Sequence, residues 1–335
     1  MLKNKPLKEL IANFSQHLQE ALKTIHSTNI KSSDRAVHNV LITGLGGSGI
    51  GGSVVAELVG AHSPVPITVN KNYDIPAFVN EFTLVIACSY SGNTEETLSA
   101  VAQAQAKGAM FACISSGGKL KEIAETEAYN LLSMEGGKPP RSMFAYSIAF
   151  LLRYMEAYGL TTYHVIEELE ASIKLLDDSE AETLKEAEAF AENIKNTIPQ
   201  ILANNGSLAV AARFRQQLNE NSKMLSWEAE VPEMNHNELV GWEGGDNRFS
   251  AVFIRNSHDN PRNQKRMDII KGIIGGKTSH VYEMWSKGES KIQKALYLVH
   301  FGDWVTYYLS EINQVDIMDI KSIDLLKAEL SKIPL

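Results

Sequence analysis

The sequence predicts two α/β units in tandem, each a parallel β-sheet flanked by helices, and three observations lead there. Its 335 residues make about two domains of ordinary size. Up to about residue 158, short β-branched runs alternate with longer helical stretches, the pattern of a doubly wound parallel sheet. A stretch at 164–196, rich in Glu, Ala, Lys and Leu and without Gly or Pro, then separates this from a second alternation of the same kind. The expected organisation is an N-terminal unit at 1–160, a helical linker at 161–198 and a C-terminal unit at 199–335.

In the first half, Val37-His38-Asn39-Val40-Leu41-Ile42-Thr43 reads as a buried strand, followed by a glycine-rich segment and a helix at 53–58. The β-branched runs at 66–69 and 82–88 read as the next strands. A helix is expected at 94–107, opened by Thr94 with Glu95 and Glu96 complementing its dipole. Strands at 109–114 and 129–134 follow, and then a helix at 142–158. In the second half, Pro199 marks the start. A strand is expected at 207–211, a helix at 213–225, a strand at 250–255, a helix at 262–274, a strand at 278–284 and a long amphipathic helix at 291–312.

Hydrophobic residues make up 44% and charged ones 21%, which excludes disorder as the main state. Against 32 Lys and Arg stand 40 Asp and Glu, a net charge of −8. A binder of nucleic acid or of anionic membranes would carry clustered cations, so neither partner is expected. Cys88 and Cys113 cannot form a disulfide framework or a zinc site, and they fit a reducing compartment. Neither an apolar signal core near Met1 nor a run of about 20 apolar residues is present. The expected location is the cytoplasm.

Gly44-Leu45-Gly46-Gly47-Ser48-Gly49-Ile50-Gly51-Gly52 follows the first strand. Glycines let the backbone turn and bring N–H groups to an anion at a helix N-terminus. The segment matches the dinucleotide fingerprint, which also expects an acidic residue at the end of the second strand. That strand instead ends Val69-Asn70-Lys71, although Lys71 would tolerate a 2′-phosphate. A plain tight turn is the bland reading, but six glycines in nine residues exceed what one turn needs. Gly276-Lys277-Thr278 ends like a nucleotide P-loop, but Lys271 stands where its first glycine belongs.

Ser89-Tyr90-Ser91-Gly92-Asn93-Thr94 is a second anion candidate. Its hydroxyls cluster at the carboxyl end of a strand, where open α/β sheets bind ligands. Helix capping by Asn93 or Thr94 is the alternative, and it explains only one or two of these residues.

These two loops resemble the sugar isomerase (SIS) fold. With Pro139-Pro140-Arg141-Ser142, Asn219-Glu220-Asn221-Ser222-Lys223 and the stretch from Pro232 to Trp242, the chain resembles the bifunctional phosphoglucose/phosphomannose isomerases over nearly its whole length. The resemblance implies two tandem SIS domains, each flavodoxin-like, and an aldose–ketose isomerase acting on fructose 6-phosphate. It also implies a homodimer and no cofactor or metal. Phosphate would be held by Gly47, Ser48, Ser89, Ser91 and Thr94.

Such isomerisation moves a proton between C1 and C2 through an enediolate. It needs one base, a cation near the developing oxyanion and a group that opens the sugar ring. By resemblance Glu220 is the base. Arg141, its approach stiffened by two prolines, is the cation. His236, in a polar loop opened by Pro232, is the ring-opening acid/base, contributed by the partner subunit. Lys327, in a C-terminal amphipathic stretch, assists it. Ile320 stands where relatives carry the threonine credited with admitting mannose 6-phosphate. His236-Asn237-Glu238 is not a zinc motif, and no two histidines have helical ligand spacing.

From the residues alone, Glu220 reads first as a solvated helix side chain and His236 as a loop side chain with hydrogen bonds only, while Arg141 could equally be a surface side chain without a role. Two rival functions are a phosphosugar sensor without catalysis and an NADP-dependent dehydrogenase. A sensor would have no need of Glu220, Arg141 and His236 together.

Overall fold

The structure, a computed structural model, describes residues 4–31, 33 and 35–333. The first half runs α1 (Lys5–Ala12), α2 (Phe14–Ser27), β1 (Asn39–Thr43), α3 (Gly46–Gly60), β2 (Ile67–Asn70), β3 (Thr83–Ser89), α4 (Glu95–Ala106), β4 (Met110–Ser115), α5 (Gly118–Thr126), β5 (Asn130–Ser133) and α6 (Phe144–Ala157). The long helix α7 (Val165–Ile194) bridges to the second half. There β6 (Ile198–Asn204), α8 (Leu208–Ser222), β7 (Trp227–Val231), α9 (Glu238–Gly241), β8 (Phe249–Arg255), α10 (Pro261–Gly275), β9 (Val281–Trp285), α11 (Lys291–Ile312) and α12 (Lys321–Leu330) follow.

Both sheets are parallel, ordered β2-β1-β3-β4-β5 and β7-β6-β8-β9. The first order is that of flavodoxin-like folds, and the second repeats its first four places. Strand alternation sends Val40 and Ile42 of β1, and Ile201 and Ala203 of β6, into one continuous core. Helices α3, α6, α7, α8 and α11 fill that core, with α7 burying Leu169, Ile173 and Phe190 in it. Separate clusters cover the outer faces. On the first sheet Val85 and Phe111 pack with Val101 and Leu120, and on the second Leu202 and Phe253 pack with Met234, Trp242 and Ile270.

The sequence expectation differs from the structure in three places. The strand expected at 207–211 is the start of α8, and the first strand of the second half is β6. Pro199 lies inside β6 instead of before it. Pairing with β7 begins at Gln200, one residue beyond Pro199, so the missing N–H of Pro199 costs no ladder bond there. Strand β7 goes unmarked in the sequence pattern, because Trp-Glu-Ala-Glu-Val carries two carboxylates. It forms an edge, where charge is tolerated. Finally, α3 starts at Gly46 and not at residue 53, so the glycine-rich segment is itself helical. The two N-terminal helices and α5 add to what the periodicity indicates.

Candidate active site

Strand β1 ends at Thr43 and α3 starts at Gly46, which puts the first-turn amides of Gly46, Gly47 and Ser48 at the carboxyl edge of the first sheet. Strand β3 ends at Ser89 and α4 starts at Glu95. Two helix N-termini thus converge between β1 and β3, where the strand order reverses, and both favour an anion. The Oγ of Ser89 and Oγ1 of Thr94 are 2.9 Å apart. The amide of Tyr90 donates to Ser48 Oγ at 3.2 Å, tying the two loops together. Ser91 is exposed beside them. Thr94 occupies the N-cap position without a side-chain cap bond, and Asn93 Oδ1 accepts from the amide of Lys119 at 3.0 Å instead. Capping of α4 therefore does not account for the hydroxyl cluster.

A Cβ on Gly47 would lie 3.1 Å from the carbonyl oxygen of Pro140. Glycine at this position lets the 3₁₀ turn Pro140–Met143 settle on the first turn of α3, which brings Arg141 beside the loops. Arg141 is 5% exposed. Its Nε donates to Asn221 Oδ1 at 2.8 Å and its Nη2 to the carbonyl of Ile317 at 2.7 Å. Its Nη1 meets Glu220 Oε2 at 3.3 Å. Burial pushes its pKa down and Glu220 opposes the shift. Glu220 sits in the last turn of α8 with its side chain one-third exposed, so the carboxylate stays open to a small molecule.

A buried layer holds this pair. Arg213 donates through Nη2 to the carbonyl of Arg141 at 3.0 Å and to both oxygens of Asp303, at 3.2 and 3.0 Å. Gln217 adds a bond to Asp303 at 2.9 Å, and the Arg213 guanidinium lies 4.4 Å from the centre of the Phe144 ring. Asn221 donates to Thr306 Oγ1 at 3.0 Å, and Asn4 Oδ1 accepts from the amide of Ile317 at 3.1 Å. Burial raises the pKa of Asp303, with Arg213 the leading opposing influence. Sequence reasoning does not find this layer. Its available signal is Asp303 itself, a lone acid in the apolar centre of α11.

Two further expected residues lie elsewhere. His236 is exposed in the 3₁₀ turn Glu233–His236, in the segment whose Met234 and Trp242 cover the outer face of the second sheet. Helix α8, with Glu220, packs on the inner face. Within one chain the second sheet therefore stands between His236 and Glu220. Lys327 is exposed on α12, a helix with no buried residue that starts just beyond Ile320. Lys71, considered for a 2′-phosphate, is an exposed residue whose stem leans over the start of α3, its Cε 3.8 Å from where a Cβ on Gly49 would be. Desolvation there lowers its pKa, Arg215 lowers it further and Glu228 opposes them.

Among the described residues no group of three His, Cys, Asp or Glu side chains is arranged to hold a metal ion. Nor is any helix among them long and apolar enough to cross a membrane.

Comparison with known proteins agrees with this architecture. Residues 35–152 match the SIS domain, and residues 183–330 match the bacterial phospho-glucose isomerase C-terminal SIS domain. The chain is 38% identical to a bifunctional phosphoglucose/phosphomannose isomerase of Caldicellulosiruptor bescii, over 97% of this chain and 99% of that protein. It is 34% identical to one of Aquifex aeolicus, over 88% and 90% of the two. Among solved structures, a hypothetical protein of Thermus thermophilus superposes with a TM-score of 0.78 at 15% identity, covering 98% of this chain and 93% of that one. The fold is two tandem SIS domains, and the chain belongs to the bifunctional phosphoglucose/phosphomannose isomerase family.

Proposed function

We propose that this chain is an aldose–ketose isomerase that interconverts fructose 6-phosphate with glucose 6-phosphate and mannose 6-phosphate. One observation carries the reading: the carboxylate of Glu220 and the buried guanidinium of Arg141 meet beside two hydroxyl-lined helix N-termini. In this reading the phosphate takes the hydroxyls of Ser48, Ser89, Ser91 and Thr94 and the amide of Gly47. Such binding relies on aimed dipoles and needs few net cations, which accommodates a net charge of −8.

Glu220 removes the proton from C2 of the aldose, or from C1 of the ketose, and returns it to the neighbouring carbon. A single carboxylate suffices because the same group that takes the proton delivers one back to the neighbouring carbon, after any exchange with solvent. Negative charge develops on the enediolate oxygens, which Arg141 faces with a guanidinium already fixed by Asn221 and Ile317. Ring opening falls to His236, assisted by Lys327. Since the second sheet lies between His236 and Glu220 of one chain, His236 is supplied by a second copy in a homodimer. Leu225 and Val240, 80% and 71% exposed, offer apolar surface to such a partner. We place the enzyme in the cytoplasm, where its two free, buried cysteines would stay reduced.

The test is to incubate the purified chain with fructose 6-phosphate and a metal chelator, following products by ¹³C NMR. Appearance of both glucose 6-phosphate and mannose 6-phosphate is expected. Saturable binding with no turnover would instead make the chain a sensor, and glucose 6-phosphate alone would remove the phosphomannose half, in line with Ile320.

A further inference from the structure

The second sheet repeats the first, strand for strand, from β6 to β9. In the first sheet the crevice between the ends of β1 and β3 is the candidate phosphate site. The matching point of the second sheet lies between the ends of β6 and β8, and a cavity of about 330 Å³ opens there. Its walls are the turn Asn205-Gly206-Ser207 after β6, the segment from Asn256 to Asn260 after β8, and the first turns of α11. Ligand crevices of open α/β sheets fall at this kind of reversal.

Lys294 gives the cavity its chemistry. It lies on the wall formed by α11 and is 5% exposed, yet among the described residues no carboxylate comes within 4.0 Å of its ammonium. The hydrogen bond it makes is to His258 Nδ1, also on the wall. An ammonium carries three donors, and burying a charge without a counter-charge is costly. An anion in the cavity supplies that counter-charge. Asn256 and Ser207, both buried, add an amide and a hydroxyl that bond each other at 3.0 Å, and Lys291 stands at the exposed rim. Two carboxylates also line the cavity. Asp259 accepts from Asn204 Nδ2 at 2.6 Å, and Glu289 is exposed. They suit the hydroxyls of a polyol and disfavour a ligand that is anionic throughout.

We propose that this cavity is a second binding site for a small phosphorylated polyol, its phosphate on Lys294 and its hydroxyls toward Asp259 and Asn205. The cavity volume falls within the range of small-molecule sites. The site is separate from Arg141 and Glu220 and takes no part in proton transfer.

Equilibrium dialysis of the full chain with labelled inorganic phosphate tests this. Two phosphates per chain are expected for the wild type. Lys294→Met should bind one, with the affinity of the remaining site unchanged. Ser89→Ala with Thr94→Ala should remove the other site and leave the Lys294 site intact, so failure at either crevice reads out separately. Should Lys294→Met not fold by circular dichroism, Lys291→Glu at the exposed rim decides, with at least a fivefold loss of affinity expected at this site alone. Two phosphates bound with unchanged affinity in folded Lys294→Met, or no loss in Lys291→Glu, would overturn the proposal. So would a wild-type chain whose bound phosphate is wholly abolished by the Ser89 and Thr94 substitutions.

Discussion

Arg141 Nη1 stands 3.3 Å from Glu220 Oε2, and that contact joins the first SIS domain to the second. Arg141 belongs to the turn before α6, whereas the partners of its guanidinium, Glu220, Asn221 and the carbonyl of Ile317, come from the other half. The proposed cation and the proposed base are thus held in register by domain packing. Arg141→Lys keeps a charge but cannot reach three partners at once. The expected result is a fall in kcat of about 100-fold with KM changed far less, measured by steady-state kinetics on fructose 6-phosphate. A variant with near-normal kcat would mean that Arg141 faces no developing charge.

The buried pair behind it makes a stability prediction. Arg213 and Asp303 are 2% and 4% exposed and form an ion pair at 3.0 Å. Asp303→Leu leaves the guanidinium uncompensated and should cost about 3–5 kcal/mol in urea unfolding. Arg213→Met combined with Asp303→Leu should recover much of that loss, because neither charge is then stranded. Equal losses in the single and double variants would show that packing, and not the stranded charge, sets the cost.

Glu57 gives a pH dependence. On α3, it accepts from the amide of Ala209 at 2.9 Å and so closes the N-terminus of α8, the helix that carries Glu220. Burial lifts its pKa from 4.5 to about 7, against the pull of that bond. The folded state therefore holds the proton more tightly than the unfolded chain does. Its contribution to stability is fully present below pH 4.5 and is lost as pH rises through 7. Glu57→Gln should flatten this slope and raise Tm at pH 8 by about 3 °C in calorimetry, with little change at pH 4.5. An unaltered difference between the two pH values would contradict it.

Complementation tests the shared site. Neither Glu220→Gln nor His236→Ala should turn over as a homodimer. In a mixed dimer one site is doubly defective, and the other takes Glu220 from one chain and His236 from its partner. Subunit exchange at equal amounts should restore about a quarter of wild-type activity. If both residues acted within one chain, mixing would restore nothing.

The sequence made the tandem α/β architecture legible because a parallel sheet writes its strands as apolar runs, and 82–88 and 109–114 lie within a residue of β3 and β4. It hid β6 and β7 for local reasons. Pro199 and the buried Gln200 interrupt the apolar run of β6, and Gln200 is there to accept from Trp242 Nε1 at 2.8 Å. The glycine-rich segment also has a purpose that no spacing rule conveys. A Cβ on Gly52 would lie 2.7 Å from Ile42 Cγ2, so this glycine serves the packing of α3 on β1. The motif residues Arg141 and Glu220 are visible one by one, but their meeting depends on how two domains pack. Distance across the second sheet likewise cannot be read from Glu220 and His236 being 16 positions apart.

Deuterium transfer tests the central claim most directly. Fructose 6-phosphate incubated with the enzyme in deuterated water should give glucose 6-phosphate labelled at C2, by exchange on the base during the life of the enediolate. Glu220→Gln should abolish both turnover and label while phosphosugar affinity stays within about threefold of wild type. Labelled product at near-normal rate from Glu220→Gln would show that the carboxylate beside Arg141 is not the base.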